Sequence, residues 1–473
     1  MSASRVSLSP PAFDGVRREF DVPQEFSAAA LREAERAAAA PRMPEHDATD
    51  LPLVTLDPPG SRDLDQAMHL ARRDGGYRVS YAIADVAAFV QPDGALDGEC
   101  WDRGVTVYCP DLRVPLHPEV ICEAAGSLLP GQNRPAVLWQ IDLADSGEVV
   151  DVSVRRAVVR STAQLDYPNV QSTVDTESAH PSLALLPEIG ALRLALARQR
   201  HAIELNLPDQ EVVSDFAGGW TVMFRTQLPV EIWNAQISLL TGMCAARLML
   251  QAGVGVLRTL PPAAEEDVAR LRALAPMLGI DWPDGTPVGD VLDGLTPGFG
   301  AHAAFLDEAG TLLRGAGYAS FDGEPPEQPL HAAVAAEYAH VTAPLRRLVD
   351  RFGSEVCLAQ SAGVPVPGWV RAGLPRLPEA MASADRRAGD VERAVVGLTE
   401  AHVLAGQIGA DFHAVVVESG PAHGTVVLTG PAVRASCDGP DLPLGQTVRV
   451  RLTEADPLER RVRFARVPDR QPT

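Results

Sequence analysis

The hydrophobic and polar positions divide the chain into stretches with different periodicities. Between residues 51 and 160, short apolar or alternating runs are separated by Gly, Pro and Asp, which predicts β-strands. From about residue 181 to residue 408, apolar residues recur at three- and four-residue spacing, which predicts helices. From residue 412 to 467 the alternation returns in short runs, which is typical of a β-barrel of the OB type.

Each stretch resolves into individual predicted elements. The strands of the first stretch are residues 53–56, 77–83, 105–108, 136–143 and 149–159. The helices are residues 183–205, 229–252, 263–278, 301–314, 330–341, 344–362 and 378–408. The strands of the last stretch are residues 413–418, 424–428, 447–454 and 460–467.

These elements predict an α+β protein with three parts. Residues 1–50 open with a polar tail, after which Ser27 can cap a helix over residues 28–40 that Pro41 ends. This segment is expected to be helical, and a helix-turn-helix-like unit is one option. Residues 51–405 form a mixed α/β body, and residues 406–473 form the barrel.

Composition narrows the class of protein. A net charge of −21 argues against a protein that coats nucleic acid by bulk attraction, so any such contact must come from local basic surfaces. No run approaches the ~18 apolar residues of a membrane span, and the N-terminus lacks the layout of a signal peptide. We therefore expect a cytoplasmic protein with no membrane association, and no obligate protein partner is evident. The six cysteines lie at no metal-ligand spacing and are expected to be reduced.

The stretch with the densest group of ionisable residues follows the first predicted strand. A buried run, residues 53–56, ends in a turn at Pro58-Pro59-Gly60, and the loop carries Asp57, Asp63 and Asp65. Such a turn can bring three carboxylates to one point, where a hard cation or a proton must compensate their repulsion. Asp is also a common turn residue for local reasons, and the loop taken alone favours that simpler explanation.

Further blocks follow this loop in a fixed order. They are LPLVTLD from residue 51, RDLDQA from 62, YAIADV from 81, DRGVTVYCP from 102, VPLHP from 114, GSLLP from 126, YAHVTAPLRRLVD from 338 and ADRRAGDVER from 384, preceded by REFDVPQEF from 18. In content and order the blocks resemble the catalytic domain of the ribonuclease II (RNB) family. The resemblance implies an RNB catalytic domain with a C-terminal S1-type OB-fold, and without the usual N-terminal cold-shock domains.

The resemblance also implies an activity. Family members remove nucleotides one at a time from the 3′ end of single-stranded RNA, release nucleoside 5′-monophosphates and leave a short end product. Asp57, Asp63 and Asp65 would be catalytic residues that hold Mg²⁺, with Mn²⁺ as an alternative, for a two-metal displacement. The family usually has a fourth acidic residue at the position of Gln66. Gln66 can offer a metal a neutral oxygen but no charge, so we expect weaker binding of the second metal and tighter binding in Gln66→Asp.

Five further residues are carried over from the family blocks. Tyr108 matches the aromatic that stacks on the terminal base, and Arg346 matches the arginine near the scissile phosphate. Arg347 is expected to assist with RNA, or else to pair with Asp350. The remaining two expected RNA-binding residues are Arg103, for which a buried structural role is equally open, and Glu392, which the family places at the RNA end.

The last stretch carries a local excess of arginines that fits a surface following phosphates, although a solvated charged face would look the same. These are Arg449, Arg451, Arg460, Arg461, Arg463, Arg466 and Arg470. Taken together, the resemblance to the RNB family predicts a metal-dependent 3′-to-5′ exoribonuclease. Because Gln66 departs from the family pattern, a catalytically impaired RNB-type protein that only binds RNA is the alternative.

Overall fold

The computed structural model describes residues 13–205, 207–215, 219–296 and 300–468. Two helices open the described chain, α1 (Phe13–Glu19) and α2 (Ala28–Ala39). Ser27 caps α2 as predicted, since its hydroxyl accepts a hydrogen bond from the Ala30 N–H at 3.3 Å. Both helices pack on the body: Phe13 and Val16 contact the C-terminal part of the long helix described below, and Ala30 and Ala34 join the main core. The helix-turn-helix-like arrangement stays a prediction.

A six-stranded sheet forms the first half of the body. Its members in spatial order are β7 (Val149–Arg160), β6 (Asn133–Ala144), β3 (Gly76–Ala84), β2 (Gln66–Arg73), β1 (Val54–Asp57) and β8 (Ala163–Asp166). Neighbours are antiparallel except β1 and β8, which run parallel with Asp57 opposite Asp166. Between β3 and β6 lie α3 (Ala95–Arg103) and a hairpin of two short strands, β4 (Val107–Tyr108) and β5 (Arg113–Val114).

Helices dominate the second half, as predicted. They are α4 (Tyr167–Asp175), α5 (Leu186–Gln199), α6 (Pro229–Ala252), α7 (Glu265–Leu274), α8 (Val288–Asp293), α9 (Gly300–Ala309), α10 (Leu348–Ala362), α11 (Gly368–Gly373) and α12 (Leu377–Leu404). Short strands lie among them: β9 (Asp209–Ser214), β10 (Trp220–Arg225), β11 (Val254–Thr259), β12 (Gly317–Asp322), β13 (Leu330–His331) and β14 (Ala336–Glu337).

Helix α6 illustrates how the sequence defines an element. Pro229 occupies its first turn, where no N–H partner is needed, and the Glu231 carboxylate accepts from the Leu228 N–H at 2.6 Å. The helix ends at Gly253, whose φ of 66° suits a glycine. Helix α6 is apolar on all sides, which is typical of a buried helix, and it packs against α5 and α10.

The chain ends in a closed five-stranded barrel. In spatial order its strands are β15 (Asp411–Ser419), β16 (His423–Thr429), β17 (Ala432–Asp438), β19 (Arg461–Arg466) and β18 (Thr447–Asp456). The barrel has its own core, which includes Val416, Val426 and Phe464. The predicted fold class, a mixed α/β body followed by an OB-type barrel, is confirmed.

One predicted helix is wrong. Residues 330–341 form the hairpin β13–β14 followed by extended chain, with Leu330 opposite Glu337. The hairpin docks on the end of β11, where the Leu260 N–H donates to the Leu330 carbonyl at 3.1 Å. The alanine-rich pattern fits a helix locally, but pairing with a distant strand decides the conformation.

Two expectations of the composition can be compared with the structure. All six cysteines are free thiols, and all but Cys109 are buried. Within the described ranges, no helix is both long and apolar enough to cross a membrane.

Candidate functional site

A polar cavity of about 700 Å³ opens where β1 ends. The elements around it come from distant parts of the chain: the loop from β1 to β2, the β4–β5 hairpin, the start of α4 and the segment before α10. The polar and ionisable side chains in its wall include Asp57, Asp63, Asp65, Gln66, Tyr108, Asp111, Arg113, Tyr167 and Arg346. The cavity thus gathers all three predicted aspartates together with Gln66, Tyr108 and Arg346.

The carboxylates of Asp57 and Asp65 are largely shielded from water. Asp65 is 4% exposed and accepts a hydrogen bond from the Leu345 N–H at 2.8 Å. Asp57 Oδ2 is buried and accepts no hydrogen bond from any described residue. Burial raises the pKa of Asp57 to about 7 and that of Asp65 to about 8; nearby Arg346 lowers both values, and repulsion from Asp63 raises them.

Asp63 differs from these two aspartates in that two neighbouring side chains already bind its carboxylate. Arg113 donates to Asp63 Oδ1, and the Tyr108 hydroxyl donates to Asp63 Oδ2 at 3.2 Å. Arg113 also forms an ion pair with Glu123, and Glu123 accepts a second contact from Arg62 at 3.1 Å. The β4–β5 hairpin is therefore tied to the aspartate loop by a chain of charges.

The site suits a hard divalent cation in its chemistry. Carboxylate oxygens are the ligands that Mg²⁺ and Mn²⁺ prefer, and the unpaired Asp57 Oδ2 is an acceptor that lacks a donor. Across the described part of the chain, no three His, Cys, Asp or Glu side chains lie close enough together to hold an ion as they stand. Asp57 and Asp65 are available as ligands, whereas Asp63 is bound to Arg113.

Gln66 lines the cavity, but both ends of its amide are bound within the protein. The Tyr81 hydroxyl donates to Gln66 Oε1 at 2.6 Å, and Gln66 Nε2 donates to the Thr342 carbonyl at 2.7 Å. The Ser238 hydroxyl in turn donates to Thr342 Oγ1 at 3.0 Å. Gln66 thereby connects the aspartate loop to the segment that carries Arg346. Its role as a metal ligand stays a prediction.

The two adjacent arginines have different surroundings. Arg346 is 46% exposed in the cavity, with its Nε 3.5 Å from Asp65 Oδ2, and no described residue accepts a shorter bond from its guanidinium. Arg347 lies outside the cavity wall and pairs with Asp350 through two hydrogen bonds of 2.9 Å. The structural alternative that the sequence left open for Arg347 therefore matches its position, and Arg346 keeps donors for an anionic ligand.

Aromatic side chains face the cavity from two directions. Tyr108, at the end of β4, is 51% exposed, so part of its side chain is accessible to a ligand. Tyr167 begins α4 directly after β8, and its hydroxyl accepts from Asn234 Nδ2 at 3.0 Å. Sequence reasoning did not find Tyr167, because only the parallel pairing of β8 with β1 brings it to the cavity.

Two of the predicted RNA-binding residues lie away from the cavity. Arg103 is 2% exposed; it donates to the carbonyls of Pro23 and Glu25 and stacks on the Phe26 ring at 3.6 Å. The buried structural role that the sequence left open for Arg103 therefore matches its position, and a contact between Arg103 and RNA stays a prediction. Glu392 is exposed on α12 and makes no hydrogen bond or ion pair within the described residues. A contact between Glu392 and RNA stays a prediction.

The arginines of the barrel are largely neutralised. Arg451 pairs with Asp411, Arg460 with Glu19, and both Arg461 and Arg463 with Glu454. Arg449 and Arg466 instead donate to backbone carbonyls, and Arg470 lies outside the described residues. The predicted basic surface is therefore interleaved with carboxylates.

Comparison with family models and known proteins gives two matches along the chain. A model described as the RNB domain matches residues 45–352. A second, described as the RNase II-type exonuclease C-terminal S1 domain, matches residues 410–467, the range of the barrel. The first match alone spans more than half of the chain.

Individual proteins agree with these matches. Ribonuclease R of Vibrio cholerae is 27% identical over 413 residues, which are 78% of this chain and 48% of that protein. The apo form of Mycoplasma genitalium RNase R superposes with a TM-score of 0.86 at 18% identity, covering 96% of this chain and 77% of that one. Yeast Ssd1, described as a pseudonuclease, superposes with a TM-score of 0.73 at 15% identity, covering 93% and 56%. The chain spans about half the length of the curated relatives, and the structural matches show the fold alone.

Proposed function

The chain belongs to the RNB domain family, and on that basis we propose that it is a metal-dependent 3′-to-5′ exoribonuclease. Its substrate is the 3′ end of single-stranded RNA, and its products are nucleoside 5′-monophosphates and a short end product. The observation that supports this most strongly is the cavity itself, which places three aspartates, a half-exposed arginine and an accessible tyrosine around one space.

Each side chain has a task that its surroundings suit. The free donors of Arg346 bind oxygens of the scissile phosphate and stabilise the charge that develops there. The exposed ring of Tyr108 stacks on the terminal base, which gives affinity without sequence preference because every base has a π face. Asp57 and Asp65, with Asp63, hold Mg²⁺ or Mn²⁺. When bound, the metal supplies activation of water and stabilisation of the leaving 3′ oxygen.

The dimensions of the site agree with a terminal nucleotide as the reacting unit. A cavity of about 700 Å³ lies within the range of pockets that enclose small ligands. Arg346 and Tyr108 in the cavity wall are both about half exposed, so the end of an RNA strand can reach them. The cytoplasmic location stays an expectation from the sequence.

A second function, RNA binding without catalysis, has its own support. Gln66 replaces a carboxylate and is held by Tyr81 and Thr342, and Arg113 occupies Asp63. A related fold is known in a protein described as a pseudonuclease. Asp57, Asp65 and Arg346 retain open atoms in the cavity, and for this reason we favour the enzyme.

One assay separates the two functions. Purified protein is incubated with end-labelled single-stranded RNA and Mg²⁺, with and without EDTA. The enzyme produces a ladder that shortens to a small end product only when metal is free, whereas a shifted but intact RNA band would support the binding protein. Asp65→Asn removes a buried carboxylate that can ligate the metal and should abolish cleavage while RNA still binds. Asp142→Asn is the control, because Asp142 pairs with Arg78 far from the cavity.

A further inference from the structure

Arg113 introduces a second fixed cation into the cavity, beside Arg346. It lies at the start of β5, 23% exposed, and its guanidinium bridges two carboxylates, Asp63 at 14% exposure and Glu123 at 13%. A planar guanidinium with five donors can hold two carboxylates at once, and partial burial of all three groups limits screening by water. Arg113 is thus fixed in place by one carboxylate while it neutralises the other.

From this arrangement we propose that Arg113 is a resident counter-cation of Asp63 that competes with divalent metal for that carboxylate. The chain then binds one divalent cation readily and a second only at higher concentration. The proposal deepens the proposed function and rests on it, since it concerns how divalent cations enter the same cavity.

The state of the individual oxygen atoms supports this order of binding. Both oxygens of Asp63 accept hydrogen bonds, one from Arg113 and one from Tyr108. In contrast, Asp57 Oδ2 has no donor among the described residues. A first cation can therefore use Asp57 Oδ2 without displacing any donor, and at Asp65 Oδ2 it displaces only the 3.5 Å contact with Arg346. Ligation by Asp63 instead competes with the shorter ion pair to Arg113.

The charge of the cavity points the same way. Arg113 and Arg346 already place two positive charges in the cavity wall, and Gln66 contributes no charge, so a second divalent cation meets stronger repulsion than the first. Glu123 binds the same guanidinium and so holds it beside Asp63.

The test counts bound metal without RNA. Mn²⁺ is titrated into the full chain and followed by electron paramagnetic resonance of the free ion, which gives the number of sites and their affinities. For the unmodified chain we expect one tight site and a second that is at least about tenfold weaker, the equivalent of about 1.4 kcal/mol. Arg113→Met should tighten the second site by about tenfold or more, and Arg113→Lys, which keeps the cation, should not.

Arg62→Met is the matched control. Arg62 also pairs with Glu123, but it is 70% exposed and its side chain forms no ion pair with Asp63, so its loss changes the net charge equally without freeing that carboxylate. Unchanged Mn²⁺ binding in Arg113→Met would overturn the proposal, as would an equal gain in Arg62→Met. A circular dichroism melt of each variant shows whether it is folded at the titration temperature. If Arg113→Met is unfolded there, Arg113→Lys decides instead: a second metal site that is tighter in Arg113→Lys than in the unmodified chain would overturn the proposal.

The same preparations distinguish this proposal from the function on which it rests. If Arg113→Met binds metal more tightly but neither it nor the unmodified chain shortens RNA, the proposed exoribonuclease function is wrong and the competition for Asp63 is supported. If the unmodified chain shortens RNA but Arg113→Met does not change the affinity of the second Mn²⁺ site, only the proposed role of Arg113 is wrong.

Discussion

The hydrogen bonds of Gln66 allow a stability change to be worked from the structure. In Gln66→Leu the side chain keeps its approximate size but loses its donor and its acceptor. The Tyr81 hydroxyl is then left without Gln66 Oε1, and the Thr342 carbonyl is left without Gln66 Nε2. Tyr81 is 0% exposed and Thr342 is 4% exposed, so neither group gains bulk water.

A buried polar group that loses its partner costs about 1–3 kcal/mol. Ser238 neighbours both Tyr81 and Thr342 and can relieve part of this cost. We therefore expect Gln66→Leu to lower the free energy of unfolding by roughly 2–4 kcal/mol for the two groups together. Activity should fall as well, because Thr342 precedes Arg346 in the segment that Gln66 holds against the aspartate loop.

Urea unfolding measures this change as the shift in midpoint multiplied by the slope m. Gln164→Leu is the control: Gln164 Nε2 donates to the Ser61 carbonyl at 2.7 Å beside the same cavity, but this bond is exposed to water. Its loss should cost less than about 1 kcal/mol. If Gln66→Leu unfolds at the same urea concentration as Gln164→Leu, the amide of Gln66 does not hold the cavity wall together.

Two further substitutions test the roles of single side chains. Tyr108→Ala should weaken the binding of a short single-stranded RNA by roughly tenfold through lost stacking, and Tyr108→Phe should bind nearly as the unmodified chain does. Fluorescence anisotropy measures both affinities. Equal affinities for all three proteins would show that Tyr108 does not contact the RNA. Arg103→Met should lower the melting temperature, because the carbonyls of Pro23 and Glu25 lose a buried donor, while RNA affinity measured well below the melting temperature stays unchanged; a selective loss of RNA affinity would return Arg103 to the RNA surface.

Local pattern was sufficient for much of the fold. The alternating and helical periodicities located β3, β6, β7, α6 and four of the five barrel strands, because burial of one face leaves a direct trace in the sequence. The pattern failed at residues 330–341, where alanines are compatible with a helix and a contact with Leu260 imposes a hairpin. Tertiary pairing of this kind has no signal within the segment itself.

For the candidate site too, some residues were identified from the sequence and others only from the structure. The family blocks identified Asp57, Asp63, Asp65, Tyr108 and Arg346, and the structure brings these five residues to one cavity. Tyr167 and Arg113 were missed. Tyr167 reaches the cavity through two parallel strands that lie over a hundred residues apart in sequence. Arg113 reaches it through a hairpin whose partner carboxylates, Asp63 and Glu123, lie on other segments of the chain.

Metal-dependent removal of nucleotides from the 3′ end is the observation on which the proposed function depends. It is measured with one RNA labelled on its 3′-terminal nucleotide and the same RNA labelled at its 5′ end, each incubated with the protein and Mg²⁺. An exoribonuclease of this direction releases the 3′ label as a nucleoside 5′-monophosphate in the first turnovers, while the 5′-labelled RNA shortens step by step to a small end product, and EDTA stops both. Release of the 5′ label first, internal fragments, or RNA that stays intact with Mg²⁺ present would contradict the proposed function.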